Sequence, residues 1–243
     1  MRFISALLVA LVARSSLRAQ TTLANLAGNY ATSGTLTDSY GTGTWTYEAS
    51  TTANPADGSV TALTYGSVGN AGNPGYGDSG NGYNVPGVSN ARLFGDGATP
   101  AANQLAWHPG GASPTFTVIQ WTAGAGESGL IDITGAFSRV GEPGGHPDFS
   151  IYVNGVLAYS ETYISSGTTD SFDLSTYSIA PGETVDFVLG PGANGYAGDE
   201  SLISASIMSA VPEPATYALI LGGCTLGLAG WRESKRRRGE TLS

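Results

Sequence analysis

The feature that most constrains the fold is a run of short segments between Thr22 and Ser209 in which apolar and polar residues alternate. No apolar pattern in this region keeps a 3.6-residue period over two turns. Strict alternation is typical of strands with one buried face, so the pattern predicts a body made of strands. The predicted strands are residues 44–49, 60–65, 115–121, 130–137, 149–153, 184–189 and 203–207.

Glycine-rich turns separate these strands. Asn154-Gly155 joins two strand-like segments and predicts a two-residue type I′ hairpin, because both central positions of that turn need positive φ. Pro181-Gly182 predicts a second turn before residues 184–189. Short strands without helical crossovers predict an all-β antiparallel β-sandwich or jelly roll, formed as one domain by residues 20–210. Residues 70–90 show no period and predict a long functional or mobile loop.

The body is strongly acidic. Residues 20–210 contain sixteen Asp and Glu side chains but only two basic ones, Arg92 and Arg139, which gives a formal charge of −14. Such a surface repels phosphate backbones, which argues against a nucleic-acid partner. The single cysteine, Cys224, excludes a disulfide framework and a multi-cysteine metal site.

The amino terminus has the pattern of an export signal. Arg2 precedes an apolar stretch over residues 3–13, and Ala19 is suited to the position before cleavage. We therefore predict a signal peptide over residues 1–19. An amphipathic N-terminal helix of the fold is the alternative.

The carboxyl terminus predicts a membrane anchor. Residues 215–231 carry no formal charge and would form a helix of about 25 Å, the short end of the range for crossing a bilayer. The basic residues after it would hold that end in the cytoplasm; they are Arg232, Lys235, Arg236, Arg237 and Arg238. The motif before it is Val211, Pro212, Glu213 and Pro214.

A V-P-E-P motif, a short apolar span and a terminal basic cluster in this order resemble the PEP-CTERM sorting signal of Gram-negative bacteria that make extracellular polysaccharide, here over residues 211–238. The resemblance implies recognition of Pro212, Glu213 and Pro214 by an exosortase, a membrane transpeptidase-like protease. It also implies an exported protein that is anchored on the periplasmic side of the inner membrane and then reaches the cell surface or extracellular matrix.

The strand order over residues 107–207 resembles carbohydrate-binding-module-like jelly rolls of secreted bacterial proteins. This resemblance implies sugar binding by aromatic side chains and, in some members, a structural calcium ion. The candidate sugar contacts are Tyr76, Tyr83 and Trp107. The candidate calcium ligands are the carboxylates of Asp148, Asp199 and Glu200, near strand ends.

Three functions are compatible with these patterns. The first is a non-enzymatic surface or matrix protein that associates with extracellular polysaccharide, with no cofactor other than calcium. The second is a secreted glycan-active hydrolase, which needs two carboxylates roughly 5–10 Å apart. The third is a purely structural matrix protein without a defined ligand.

Overall fold

The computed structural model describes residues 18–30, 37, 41–69, 71–77, 86–94, 97–111, 116–141, 144–162, 164 and 167–212. Residues 1–17 of the predicted signal peptide, the predicted span 215–231 and the basic cluster lie outside these residues. In the part of the chain that is described, no helix is long and apolar enough to cross a membrane.

The described residues form fourteen strands and a single 3-10 turn at Pro55–Asp57. The first seven strands are β1 Arg18–Asn25, β2 Thr44–Ser50, β3 Val60–Ala62, β4 Thr64–Val68, β5 Asn73–Gly77, β6 Gly87–Ser89 and β7 Leu105–His108. The last seven are β8 Phe116–Thr122, β9 Gly129–Arg139, β10 Asp148–Val153, β11 Val156–Glu161, β12 Thr169–Ile179, β13 Thr184–Gly190 and β14 Ser201–Pro212.

These strands form two sheets. The eight-stranded sheet has the order β12-β9-β14-β7-β6-β5-β4, with β1 also paired to β14, and the six-stranded sheet has the order β11-β10-β13-β8-β2-β3. Every pair with a defined register is antiparallel. The predicted all-β antiparallel sandwich is therefore confirmed for the described residues.

One core lies between the sheets, because each alternating strand turns its apolar side inward. Trp45 and Phe187 come from the six-stranded sheet and stack with ring centroids 6.3 Å apart. Trp107 and Phe137 come from the eight-stranded sheet, and Phe137 stacks on Phe149 of the facing sheet at 4.7 Å. All five side chains are at most 2 % exposed.

The predicted turns are observed. Asn154 and Gly155 have φ values of 52° and 72°, as a type I′ hairpin requires, and Gly182 has a φ of 86°. The prediction of one long loop over residues 70–90 is wrong in part, because β5 and β6 lie inside it. β5 contains two glycines and a proline, and β6 is only three residues long, so neither strand shows a recognisable alternation.

The predicted strand 60–65 changes sheets in its middle. β3 pairs with β2 in the six-stranded sheet, whereas β4 pairs with β5 in the eight-stranded sheet. Leu63 lies between them, is 9 % exposed, and donates its N–H to the Tyr47 carbonyl oxygen at 2.8 Å. This crossing brings side chains of the two sheets together at one edge of the core.

The chain divides into two compact units. One is Thr22–Ser209, which holds the sandwich core. The other consists of Met1–Thr21 and Ala210–Ser243, of which residues 18–21 and 210–212 are described, as the outer ends of β1 and β14. The boundaries of the predicted signal peptide and sorting signal stay predictions.

Candidate functional site

Four tyrosines converge where the chain crosses between the sheets. Tyr47 lies on β2, Tyr65 on β4 and Tyr76 on β5, while Tyr30 follows the turn after β1. Tyr65 and Tyr76 are direct partners in the β4–β5 register, and β4 follows the crossing at Leu63. We call these four residues the tyrosine cluster.

The rings of the tyrosine cluster are in mutual contact. Tyr76 lies at the centre, with ring centroids 4.6 Å from Tyr47, 5.2 Å from Tyr65 and 5.8 Å from Tyr30. Tyr30 also contacts Tyr47 at 5.7 Å. Contacts of this kind are favourable by about 0.5–1.5 kcal/mol each beyond the area they bury, so the rings hold one another in place.

The cluster has a buried side and an exposed side. Tyr47 is 3 % exposed and Tyr76 is 9 % exposed, whereas Tyr30 and Tyr65 are half-buried. The Tyr47 hydroxyl is buried and has no hydrogen-bond partner among the described residues. A buried hydroxyl without a partner is unfavourable, and a water molecule or a ligand hydroxyl would satisfy it.

Three phenols of the cluster, those of Tyr30, Tyr47 and Tyr76, stay protonated at neutral pH. Burial raises the pKa of Tyr47 well above its ordinary value, and the neighbouring Tyr30 and Tyr76 add to the rise. Burial likewise raises the pKa of Tyr30 and of Tyr76. Protonated phenols can donate hydrogen bonds, and their rings offer flat apolar faces.

The structure places the three predicted sugar contacts differently. Tyr76 lies at the centre of the tyrosine cluster, with a small part of its surface exposed. Trp107 is 0 % exposed and packs on Phe137 and Phe149, so its prediction as a surface contact is corrected to a core residue. Tyr83 lies outside the described residues.

The sequence missed three members of the cluster. Tyr30 belongs to no recognisable motif. Tyr47 and Tyr65 lie in segments that predict ordinary strands. Alternation along β2 does indicate that Tyr47 faces the same side as Trp45. Its proximity to Tyr65 depends on the change of sheets at Leu63, for which the sequence has no signal.

A second cluster of polar side chains lies where β14 begins. We call Arg139, Asp199 and Glu200 the buried carboxylate cluster, since all three are at most 2 % exposed. Glu200 Oε1 accepts a hydrogen bond from the Leu93 N–H at 3.0 Å, and its backbone carbonyl accepts from the Val140 and Gly141 N–H groups. Arg139 Nε donates to the Gly198 carbonyl at 3.2 Å. These hydrogen bonds connect loop segments to the sheet.

The pKa of the Asp199 carboxyl is strongly raised. Burial raises the pKa of its carboxyl to about 8, against the opposing charge of Arg139, and Asp148 adds to the rise. The carboxyl is therefore largely protonated at neutral pH.

The three predicted calcium ligands do not form one metal site. Among the described residues, no group of three or more His, Cys, Asp or Glu side chains could hold a metal ion. Glu200 binds the Leu93 amide, whereas Asp199 lies close enough to Asp148 for the two charges to interact. Calcium binding itself stays a prediction.

A pair of carboxylates lies on the outer face of the six-stranded sheet. Asp186 accepts hydrogen bonds from Gln120 at 2.7 Å and Thr184 at 3.3 Å, one on each oxygen. Burial raises the pKa of Glu48, and Asp186 contributes to this rise. Bonds to both Asp186 oxygens are typical of a polar ladder that stabilises a sheet surface.

No family model matches the sequence, and no curated protein matches it. Solved structures resemble it in part. A CBM51 module from Clostridium perfringens GH95 in complex with methyl-galactose has a TM-score of 0.35 at 11 % identity, covering 55 % of this chain and 92 % of that one. The CBM51-2 and INT domains of C. perfringens ZmpB, in complex with GlcNAc, have a TM-score of 0.37 at 14 % identity. That match covers 72 % of this chain and 35 % of the other.

An exo-beta-1,3-galactanase of Phanerochaete chrysosporium has a TM-score of 0.31 at 14 % identity, covering 67 % of this chain and 32 % of that one. The structural neighbours thus include both carbohydrate-binding modules and a glycan-degrading enzyme. At TM-scores below 0.5 these similarities do not assign a function to the chain.

Proposed function

We propose that this chain is an exported, non-enzymatic cell-surface or extracellular-matrix protein whose sandwich associates with extracellular polysaccharide. The observation that carries the binding half of this proposal is the tyrosine cluster. It combines flat apolar rings, phenolic donors and a buried hydroxyl without a protein partner in the described residues. Aromatic faces with a few polar groups are the usual surroundings of small uncharged ligands.

Two rings of the tyrosine cluster are buried, and two are partly exposed. Tyr30 and Tyr65 are half-buried and would offer ring surface to a sugar. Tyr47 and Tyr76 lie behind them and fix their positions through ring contacts of 5.2–5.8 Å. Tyrosine supplies large contact area at low conformational cost, because two torsions fix the whole side chain.

We propose further that an exosortase sorts the protein at its carboxyl terminus. The support is the sequence from Val211 to Arg238 together with the end of β14 at Pro212. The last strand therefore ends at the first proline of the motif, and Glu213 and Pro214 lie outside the described residues. The inner membrane would hold the chain through residues 215–231 until the exosortase acts.

Retention of the protein on immobilised polysaccharide tests the binding half of the proposal. The protein is purified from the producing cells and passed over immobilised polysaccharide from the same cells. Retention that soluble polysaccharide reverses is expected. A protein that elutes with the void volume on every polysaccharide of that cell would exclude this function.

The mass of the mature protein tests the sorting half. We expect the form recovered from the cell surface or medium to lack the basic cluster at Arg232 and Lys235–Arg238. Replacing Glu213 by alanine is expected to leave the precursor in the inner membrane. A surface form that still carries its basic cluster would contradict exosortase sorting without affecting the binding proposal.

A further inference from the structure

The charge of the body restricts which polysaccharide it can approach. Residues 20–210 contain sixteen acidic side chains, and of the two basic ones Arg139 is 2 % exposed. Arg92 is thus the one exposed basic side chain in this range. A polyuronate or sulfated chain would meet a field of its own sign over most of this surface.

The polar groups of the tyrosine cluster itself are phenols. The ionisable neighbours that raise the pKa of Tyr30, Tyr47 and Tyr76 are other tyrosines. Tyrosines elsewhere differ: Asp57 acts on Tyr152, and Glu161 and Asp170 act on Tyr159.

Glu48 follows Tyr47 in sequence but does not enter the cluster. Successive side chains of a strand point to opposite faces, and Glu48 lies on the side where Asp186 interacts with it. Tyr47 faces the core with Trp45. The cluster's own polar groups are four phenols, which include neither a cation for a sugar carboxylate nor a carboxylate for a sugar ammonium.

The buried Tyr47 hydroxyl adds a requirement of its own. It has no partner among the described residues, so a ligand gains most by bringing a neutral hydroxyl to it. A charged substituent at the same place would lose its hydration without gaining a counter-charge, which is costly.

We propose that the tyrosine cluster binds uncharged polysaccharide, with the pyranose C–H faces on Tyr30 and Tyr65 and sugar hydroxyls at the phenols. This inference rests on the proposed function and specifies its ligand class. Because the contacts are uncharged, the affinity is independent of salt.

The test uses the full chain in a polyoxyethylene detergent, which carries no sugar. Depletion by beads of an uncharged glucan, an uncharged galactan, alginate and chitosan is measured with EDTA present. Salt is set at about 0.01 M and about 1 M, where the Debye length falls from about 30 to about 3 Å. We expect binding to at least one uncharged polysaccharide, with the same Kd within twofold at both salt concentrations.

Three variants locate the binding. Tyr65→Ala removes a half-buried ring and is expected to weaken binding at least tenfold, whereas Tyr65→Phe keeps the ring and most of the affinity. Tyr177→Ala is the matched control, since Tyr177 is also a half-buried tyrosine packed against the core but lies on β12, at the opposite edge of the sheet from β4. It is expected to bind like the unaltered chain.

A measurement on the unaltered chain covers the case in which Tyr65→Ala fails to fold. Titration with an uncharged oligosaccharide is expected to change the ultraviolet difference spectrum of tyrosine in proportion to binding. Binding without such a change, or equal binding by a folded Tyr65→Ala, would overturn the site.

Two further outcomes separate the two proposals. Binding only to alginate or chitosan, with a loss of tenfold or more at high salt, would overturn the uncharged ligand class and leave polysaccharide association intact. Binding to no polysaccharide, including that of the producing cell, would overturn the proposed function together with this inference.

Discussion

The tyrosine cluster and the buried carboxylate cluster both place polar groups inside an all-β sandwich, but they do so in opposite ways. The tyrosines are uncharged, and two of the four reach the surface. The carboxylates and Arg139 are charged or titratable and are closed off from solvent. Buried charge is tolerated only when it is paired or hydrogen-bonded, which makes such a cluster rigid. Uncharged aromatic groups can stay partly open, which leaves them available for a ligand.

The sharpest test of this contrast is the pH dependence of stability in Asp199→Asn. The folded state keeps a proton on Asp199 up to a pKa of about 8, whereas the unfolded chain releases it near its ordinary value. Unfolding therefore releases a proton, and stability falls as the pH rises between these values, by about 1.4 kcal/mol per pH unit. The variant is expected to match the unaltered chain near pH 4 and to be more stable at pH 8.

Urea unfolding at several pH values between 4 and 8 measures this difference, and subtracting the two curves removes the contributions of other acids. A variant that is less stable at pH 8 would show instead that Asp199 is ionised as the partner of Arg139.

The next largest effect is expected from Glu200→Ala. The substitution leaves the Leu93 N–H without its acceptor and opens a cavity in a sealed region, at a cost of about 3 kcal/mol. Glu183→Ala is the matched control, because Glu183 accepts the Ala180 N–H in an exposed turn and should cost under about 1 kcal/mol. Urea unfolding measures the loss in the free energy of unfolding for each variant. Equal losses would show that the buried carboxylate stabilises the fold no more than the exposed one.

The smallest effect concerns the tyrosine cluster and, unlike that of Glu200→Ala, is not a loss of stability. Tyr47→Phe removes a buried hydroxyl that has no partner among the described residues, so the free energy of unfolding should stay equal or rise by up to about 1 kcal/mol. Polysaccharide binding should weaken at the same time. A clear loss of stability would mean that the hydroxyl is satisfied within the protein and is not held for a ligand.

The sequence predicted the local features of the fold well. Alternation located β8, β9, β10 and β13 within about two residues, and Asn154-Gly155 predicted its hairpin, since such signals depend on neighbouring residues alone. The division of residues 60–65 between two sheets was not predictable, because the segment reads as one strand. Only the tertiary fold decides that Leu63 marks a crossing.

The candidate site was predictable only in part, for the same reason. Tyr76 and Trp107 were both predicted as exposed sugar contacts, but Tyr76 is 9 % exposed and Trp107 is 0 % exposed, and both belong to the core. Nothing in a single sequence distinguishes a tryptophan that faces the core from one that faces solvent at a strand end. The carboxylates of Asp199 and Glu200 suggested a metal, whereas packing places Glu200 against the backbone N–H of Leu93.

The most direct measurement of the central claim is the ratio of dissociation constants of Tyr65→Ala and the unaltered chain for the polysaccharide of the producing cell. If the tyrosine cluster is the binding surface, the ratio is at least about ten, or about 1.4 kcal/mol, with the thermal midpoint little changed. A ratio near one in a folded variant would contradict the account.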